Sequence, residues 1–278
     1  VGMLIFVLWA FALPGVVDWS FIPKVPMFGL DIAAHEQDRI VAPIVAVAMA
    51  IGVLPLFRFV PDVPRTGMRF ANAVVEGAAD LVNLFKEARG HRDAMIFLGA
   101  RMFYTDGLTG ILVFGGVYAA GAMGWGTLEL LMYGLLLSIV AVGGGLLGGW
   151  LDGRLGPKVA LRLEITGVII SQLMTLGMTR DTFFYQPWPA ADHAPIWDGP
   201  MFRTMPEIGL LLAGFLAAIT VTSAYASSRT MLTRVVPRDR VGVFFGLFVI
   251  SGTATSWLAP MLVEIATEAG KSQRIGLL

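Results

Sequence analysis

Gly148-Gly149-Trp150-Leu151-Asp152-Gly153-Arg154-Leu155-Gly156-Pro157-Lys158 is a short charged turn between two long apolar runs, and it decides the fold. Gly156 permits a sharp reversal, and Pro157 suits the first position of the helix that follows. Arg154 and Lys158 hold basic charge at the turn, which marks a membrane boundary on the cytoplasmic side. The flanking runs, 128–151 and 159–178, are each long enough to cross a bilayer as a helix.

Outward from this hairpin the chain is mostly oil. It is 56% hydrophobic and 14% charged, with a mean hydropathy of +0.74. Soluble domains carry about 25% charged residues, so this composition predicts an all-α polytopic membrane protein. Backbone polar groups in lipid must be paired within each segment, and spans this apolar read as helices rather than barrel strands. Residues 1–13 read as half a span closed by Pro14-Gly15. Full spans are expected at 40–60, 94–122, 128–151, 159–178, 207–227 and 241–265. The chain opens and stops within apolar runs and lacks an initiator Met, which reads as an internal fragment of a longer protein.

Basic residues orient these spans. One set of alternate loops holds Arg58, Arg65, Arg69, Lys86, Arg89, Arg92, Arg154, Lys158, Arg162, Arg229, Arg234, Arg238 and Arg240. The other holds Lys24, Arg39, Arg180, Arg203, Lys271 and Arg274. The richer set predicts a cytoplasmic location for 61–93, 152–158 and 228–240. Within 61–93, Phe70, Val74, Leu81 and Phe85 alternate with Arg69, Glu76, Asp80 and Lys86. This spacing fits an amphipathic helix on the membrane surface or a solvated linker helix. On the opposite side, 179–206 carries Tyr185, Trp188 and Trp197, which fits an interfacial aromatic belt or, less readily, a substrate lid.

Several chemistries are excluded or disfavoured. The absence of cysteine removes disulfides, thiolate metal sites and cysteine nucleophiles. His35, His91 and His193 lie outside the apolar runs, so no metal site and no cofactor is expected. No phosphate-binding G-x-x-x-x-G-K-[ST] run and no H-E-x-x-H motif is present. A zero formal net charge gives no bulk attraction to nucleic acid. An intramembrane protease would need a second acid in a G-x-G-D turn, or a membrane histidine, and the chain has neither.

Arg101 and Asp106 are the first ionisable residues to watch within the spans. From residue 94 they lie roughly 10 Å and 18 Å along the helix. A charge at that depth costs about 2.5–3.5 kcal/mol on insertion scales unless paired or hydrated. Such residues mark proton or substrate paths, but Arg101 could also snorkel and Asp106 could cap a helix broken at Gly107. Tyr104 lies one turn from Arg101 on a nearby face. Gln172 and Thr175 share a helix face with Thr179, Thr220 and Ser223 share one with Ser227, and Ser251 and Thr255 fall midway along the last span. Each set reads either as cavity lining or as helix packing. Glu164, near the hairpin, is expected to pair with Arg162 or another loop cation. Gly143, Gly144, Gly145, Gly148 and Gly149 form overlapping small-residue patterns that favour close helix packing.

The stretch Gly149, Asp152, Arg154, Gly156 and Lys158 resembles the signature of the major facilitator superfamily, a glycine-x-x-x-aspartate-basic-x-glycine turn between helices two and three of each six-helix half. Here Gly153 stands where the acid usually precedes the basic residue. Arg101-Met102-Phe103-Tyr104-Thr105-Asp106-Gly107 with 114–121, and Phe244-Phe245-Gly246-Leu247-Phe248 with Ser251-Gly252-Thr253-Ala254-Thr255-Ser256, resemble the unknown-major-facilitator family. That family groups bacterial relatives of the autophagy-linked vacuolar amino-acid effluxers of fungi. It often carries a lysine where Thr253 stands and an acid where Val243 stands, so no role is carried to those positions. The resemblance implies a major facilitator fold running from span five to the start of span twelve at Ile275. Residues 1–60 would end the N-terminal bundle, 61–93 would link the halves, and 94–278 would form the C-terminal six-helix bundle.

On this reading the protein is not an enzyme. It is a monomeric secondary transporter of small polar solutes such as amino acids, working by alternating access in a bacterial inner membrane. Its partners are the lipid bilayer, a small-molecule substrate and protons. A non-transporting scaffold or sensor, or less readily an intramembrane enzyme, is the competing reading.

Overall fold

The computed structural model describes residues 2–15, 19–31, 34, 36–61, 72, 74–77, 79, 90–189 and 192–270. Six helical stretches among them are long and apolar enough to cross a membrane, the sixth being the composite Arg238–Gly270. The protein is therefore an all-α polytopic membrane protein. The chain divides into two compact units, Val1–Gly77 and Ala78–Leu278.

In the first unit, helix α1 (Gly2–Val7) runs on through a wider π-type turn, Leu8–Ala12, to Pro14-Gly15. Trp9 anchors the following loop by donating its indole N–H to the Phe21 carbonyl at 2.8 Å. A single turn, α2 (Glu36–Arg39), leads into α3 (Val41–Phe59). Nineteen residues give α3 a length of about 28 Å, close to the hydrocarbon thickness. Its apolar side chains are exposed, as lipid-facing residues are. The expected amphipathic helix depends on Phe70, Leu81 and Phe85. These lie outside the described residues, as does the span expected to start at Ile275.

The second unit begins with α4 (Arg92–Met123), closed by Gly124 at φ +69°. Helix α5 (Thr127–Leu155) meets α6 (Pro157–Leu176) at the hairpin, where Gly156 alone makes the reversal at φ +78°. The loop after α6 contains a two-stranded ladder, β1 (Thr182–Phe183) and β2 (Gln186–Pro187). It folds back on itself through a Trp188–His193 ring stack at 3.7 Å and a Trp197 indole bond to the Phe202 carbonyl. Thr204 and Glu207 cap each other's backbone and start α7 (Met205–Val235). This helix outlasts its expected end at 227. Arg229 and Arg234 lower the hydropathy, but they do not interrupt backbone pairing, which runs on until just before Pro237.

Helix α7 is the core of this unit and packs along both α5 and α6. Glycines set the approach. A Cβ on Gly144 would lie 2.6 Å from the Ile219 carbonyl oxygen, and one on Gly167 would lie 2.5 Å from Thr220 Cγ2. The small-residue pattern thus acts as close packing.

The last span differs from its expected continuous form. It divides into α8 (Val241–Thr253) and α9 (Leu258–Gly270), joined by tight turns at 254–257. Within the join, Ser256 N–H bonds Thr253 O at 3.2 Å and Leu258 N–H bonds Thr255 O at 2.7 Å, one residue short of α spacing. Pro260 supplies the reason. Its ring blocks the carbonyl four residues back, and the Thr253 hydroxyl bonds back to the Val249 and Ile250 carbonyls.

A chamber and a divided span as the candidate functional site

Arg101 and Asp106 lie on α4, five residues and about 7.5 Å of rise apart. Helix α4 runs unbroken through Gly107, so Asp106 does not cap its own helix. Both side chains instead address the divided span. Arg101, only 7% exposed, donates from Nη1 to the Phe248 carbonyl and to Ser251 Oγ at 2.9 Å, and lies 3.5 Å over the Phe248 ring. It does not snorkel. Gly252 makes room for it, since a Cβ there would stand 2.6 Å from Nη1. Asp106, 6% exposed, faces the backbone amide of Ala259 in the first turn of α9. A cation therefore sits against the C-terminal end of one half-helix and a carboxylate against the N-terminal end of the next. Both placements complement the helix dipoles.

Neighbouring polar residues serve the same seam. Thr255 Oγ1 donates to the Met102 carbonyl at 3.2 Å. The Tyr104 hydroxyl shares a 2.8 Å hydrogen bond with Ser228 on α7. Ser251 and Thr255 thus tie α8 and its turn to α4.

A cavity of about 220 Å³ opens among α4, α5, α6 and α7. Gln172 and Thr175 line it, as their shared helix face suggested. Neither side chain meets a hydrogen-bond partner among the described residues, and both point polar groups into an apolar chamber. Tyr133, Ser138 and Thr222 complete its polar lining and were not singled out from the sequence. The signal for Tyr133 was Gly214: a Cβ there would stand 2.3 Å from the phenolic oxygen, so the glycine reserves space for the ring. Gln172 also lines a second cavity of about 440 Å³ between α4, α6 and α9, bordered by Gly107 and Ala259. It is the polar side chain common to the two cavities, with Ile111 beside it.

The face expected from Thr220 and Ser223 does not join the chamber. Thr220 Oγ1 bonds back to the Leu216 carbonyl at 2.7 Å, and Ser223 donates across to the Gly144 carbonyl at 2.5 Å. Both satisfy helix packing. Among the described residues, Glu164 pairs with neither Arg162 nor a loop cation. Its Oε1 accepts a 2.8 Å hydrogen bond from Ser227. Burial favours the hydroxyl, because Arg162 lies two positions away and faces a different side of α6. Among the described residues, no group of three or more histidine or acidic side chains could hold a metal ion.

The architecture and chamber define a multi-pass helical membrane protein with a small, largely apolar cavity, lined by a few polar groups, inside one helical unit. Residues 33–278 match the family described as vacuole effluxer Atg22 like, and the chain belongs to that family. It is 21% identical to autophagy-related protein 22 of Kluyveromyces lactis over 250 residues, covering 84% of this chain and 46% of the relative. It is 24% identical to autophagy-related protein 22 of Yarrowia lipolytica over 204 residues, covering 70% of this chain and 30% of that relative. The chain thus spans less than half the length of these curated relatives. Both are yeast proteins and lend no support to a bacterial inner membrane. No solved structure matches the chain.

Proposed function

We propose that the chain is part of a secondary transporter that moves small polar solutes, amino acids foremost, by alternating access between two helical bundles. The observation that carries this reading is the unpartnered Gln172–Thr175 pair in the chamber of an effluxer-family chain. Polar groups without partners in an apolar, half-buried setting are costly, and a polar solute would supply the missing hydrogen bonds. At about 220 Å³ the chamber is smaller than the roughly 300–1,000 Å³ of drug-sized pockets, which suits a small solute.

In this reading 94–278 is the C-terminal bundle, 1–60 closes the N-terminal one, and 61–93 is the cytoplasmic link. The protein works as a monomer, and Asp106 lies on the proton path. The divided span gives the rocking bundle a joint, as discontinuous helices do in other transporters.

The test is efflux of labelled amino acids from proteoliposomes holding the intact protein. Gln172→Leu should cut the rate about tenfold, the worth of one lost hydrogen bond, with folding intact. An intact protein that moves no solute, as a scaffold or sensor would, overturns the proposal. So does a Gln172→Leu variant with unchanged flux. Proton coupling through Asp106 is dropped if Asp106→Asn leaves the pH dependence of flux unaltered.

A further inference from the structure

A further cavity, of about 370 Å³, opens at the end of the second unit opposite the Gly156 hairpin. It lies where α4 ends, where α5 and α7 begin, and where the loop after α6 crosses between them. It shares no lining residue with the Gln172 chamber. Its volume falls within the roughly 300–1,000 Å³ of small-molecule sites. The floor is apolar and fixed. Trp125 and Phe202 are 6% and 7% exposed and meet edge to face at 5.1 Å. Phe202 holds φ +53°, a conformation that bulky side chains avoid, and the Trp197 indole fastens its carbonyl at 2.8 Å. The Arg180 backbone N–H bonds the Ala122 carbonyl at 3.0 Å and pins the loop to the end of α4.

Four charged side chains line the same cavity: Arg180, Arg203, Glu129 and Glu207. Glu207 is already committed. Its Oε1 accepts the Trp125 indole N–H at 3.2 Å, and its Oε2 accepts the Thr204 N–H at 2.8 Å and the Thr204 hydroxyl at 3.1 Å. The other three are uncommitted. Among the described residues, Arg180, Arg203 and Glu129 make no side-chain hydrogen bond and no ion pair. Glu129 bends back over the start of α5, where a Cβ on Gly126 would stand 3.1 Å from its Oε2. Two guanidinium groups and a carboxylate thus border one cavity without pairing with each other. They leave room for a ligand that carries both charges.

We propose that this cavity is a second binding site, for zwitterionic amino acids with apolar side chains. The ligand's carboxylate takes the forked N–H donors of Arg180 and Arg203. Its ammonium faces Glu129, and its side chain lies on the floor of Trp125 and Phe202. A lone carboxylate would meet Glu129 as a like charge, and a lone amine would meet two. The site is separate from the Gln172 chamber, and binding there does not depend on the chain moving a solute.

Thiol protection tests this at the cavity itself. The chain has no cysteine, so a thiol introduced at position 200, an exposed part of the cavity wall, is its only one. The intact Pro200→Cys protein is placed in phosphatidylcholine nanodiscs, and maleimide labelling of position 200 is followed by peptide mass spectrometry. L-leucine should slow the labelling saturably. Leucinamide, which lacks the carboxylate, and 4-methylpentanoate, which lacks the ammonium, should each need at least about tenfold more to protect. Arg203→Gln, Arg180→Gln and Glu129→Gln, none of them in core packing, should each raise the half-protecting leucine concentration about tenfold. Asp198→Cys, exposed and outside the cavity wall, should label at one rate with or without leucine. Protection that persists in a protein moving no solute supports this site and sinks the transport reading alone. Absent protection by leucine, equal protection by 4-methylpentanoate, or protection unchanged in all three charge variants overturns the proposal. So does labelling that slows with phosphatidylglycerol in the disc and not with leucine, which assigns the arginines to lipid headgroups.

Discussion

The α5–α6–α7 seam and the seam between α4 and the divided span are closed by opposite means. The first is built from missing side chains: Gly144, Gly148 and Gly167 let the helices touch, and each site would clash with a Cβ. The second is built from long charged ones: Arg101 and Asp106 reach across from α4 to the ends of two half-helices. Steric packing has one good arrangement and yields little. Hydrogen bonds to helix ends can be exchanged for water or solute, and their loss leaves the helices intact. The glycine seam therefore suits a rigid body, and the charged seam suits a joint.

That contrast sets the order of expected effects. Gly144→Val should be the most damaging change, because backbone at Ile219 stands where the side chain must go. A destabilisation of about 3 kcal/mol or more is expected, seen as lost folded yield in size-exclusion profiles. Arg101→Ala should cost about 2 kcal/mol, since charged hydrogen bonds to α8 vanish and its carbonyls lose a partner. Thermal unfolding in detergent measures it, and Arg101→Lys should recover only part, lacking the planar fork that stacks on Phe248. Asp106→Asn should cost about 1 kcal/mol, because an amide oxygen still accepts from the helix terminus but the charge–dipole attraction is gone. Gln172→Leu should change stability by no more than about 0.5 kcal/mol while reducing flux. Equal losses for Gly144→Val and Asp106→Asn would erase the distinction between body and joint.

Much of this was legible in the residues. The hairpin at Gly156, five spans to within a few residues at most ends, and the Gln172–Thr175 face follow from hydropathy, glycine and helical period. These are local signals, carried by chain neighbours. The division of the last span was not read, although Pro260 and the Thr253–Ser256 hydroxyls announced it. A hydropathy window averages over one proline. Thr220 and Ser223 show the converse limit: period placed them on one face, but period cannot say whether that face meets a chamber or the Gly144 backbone. Tyr133 was missed because its role depends on Gly214, eighty-one positions away.

The amino-acid order was enough to establish a helical membrane protein, its spans and its family, because lipid demands internally paired backbone and twenty-residue apolar runs whatever surrounds them. Only the packed bundle assigned Arg101 to α8, Asp106 to α9 and Glu164 to Ser227. A side chain's partner depends on which helix lies across from it, and that is fixed by shape complementarity between segments far apart in the chain.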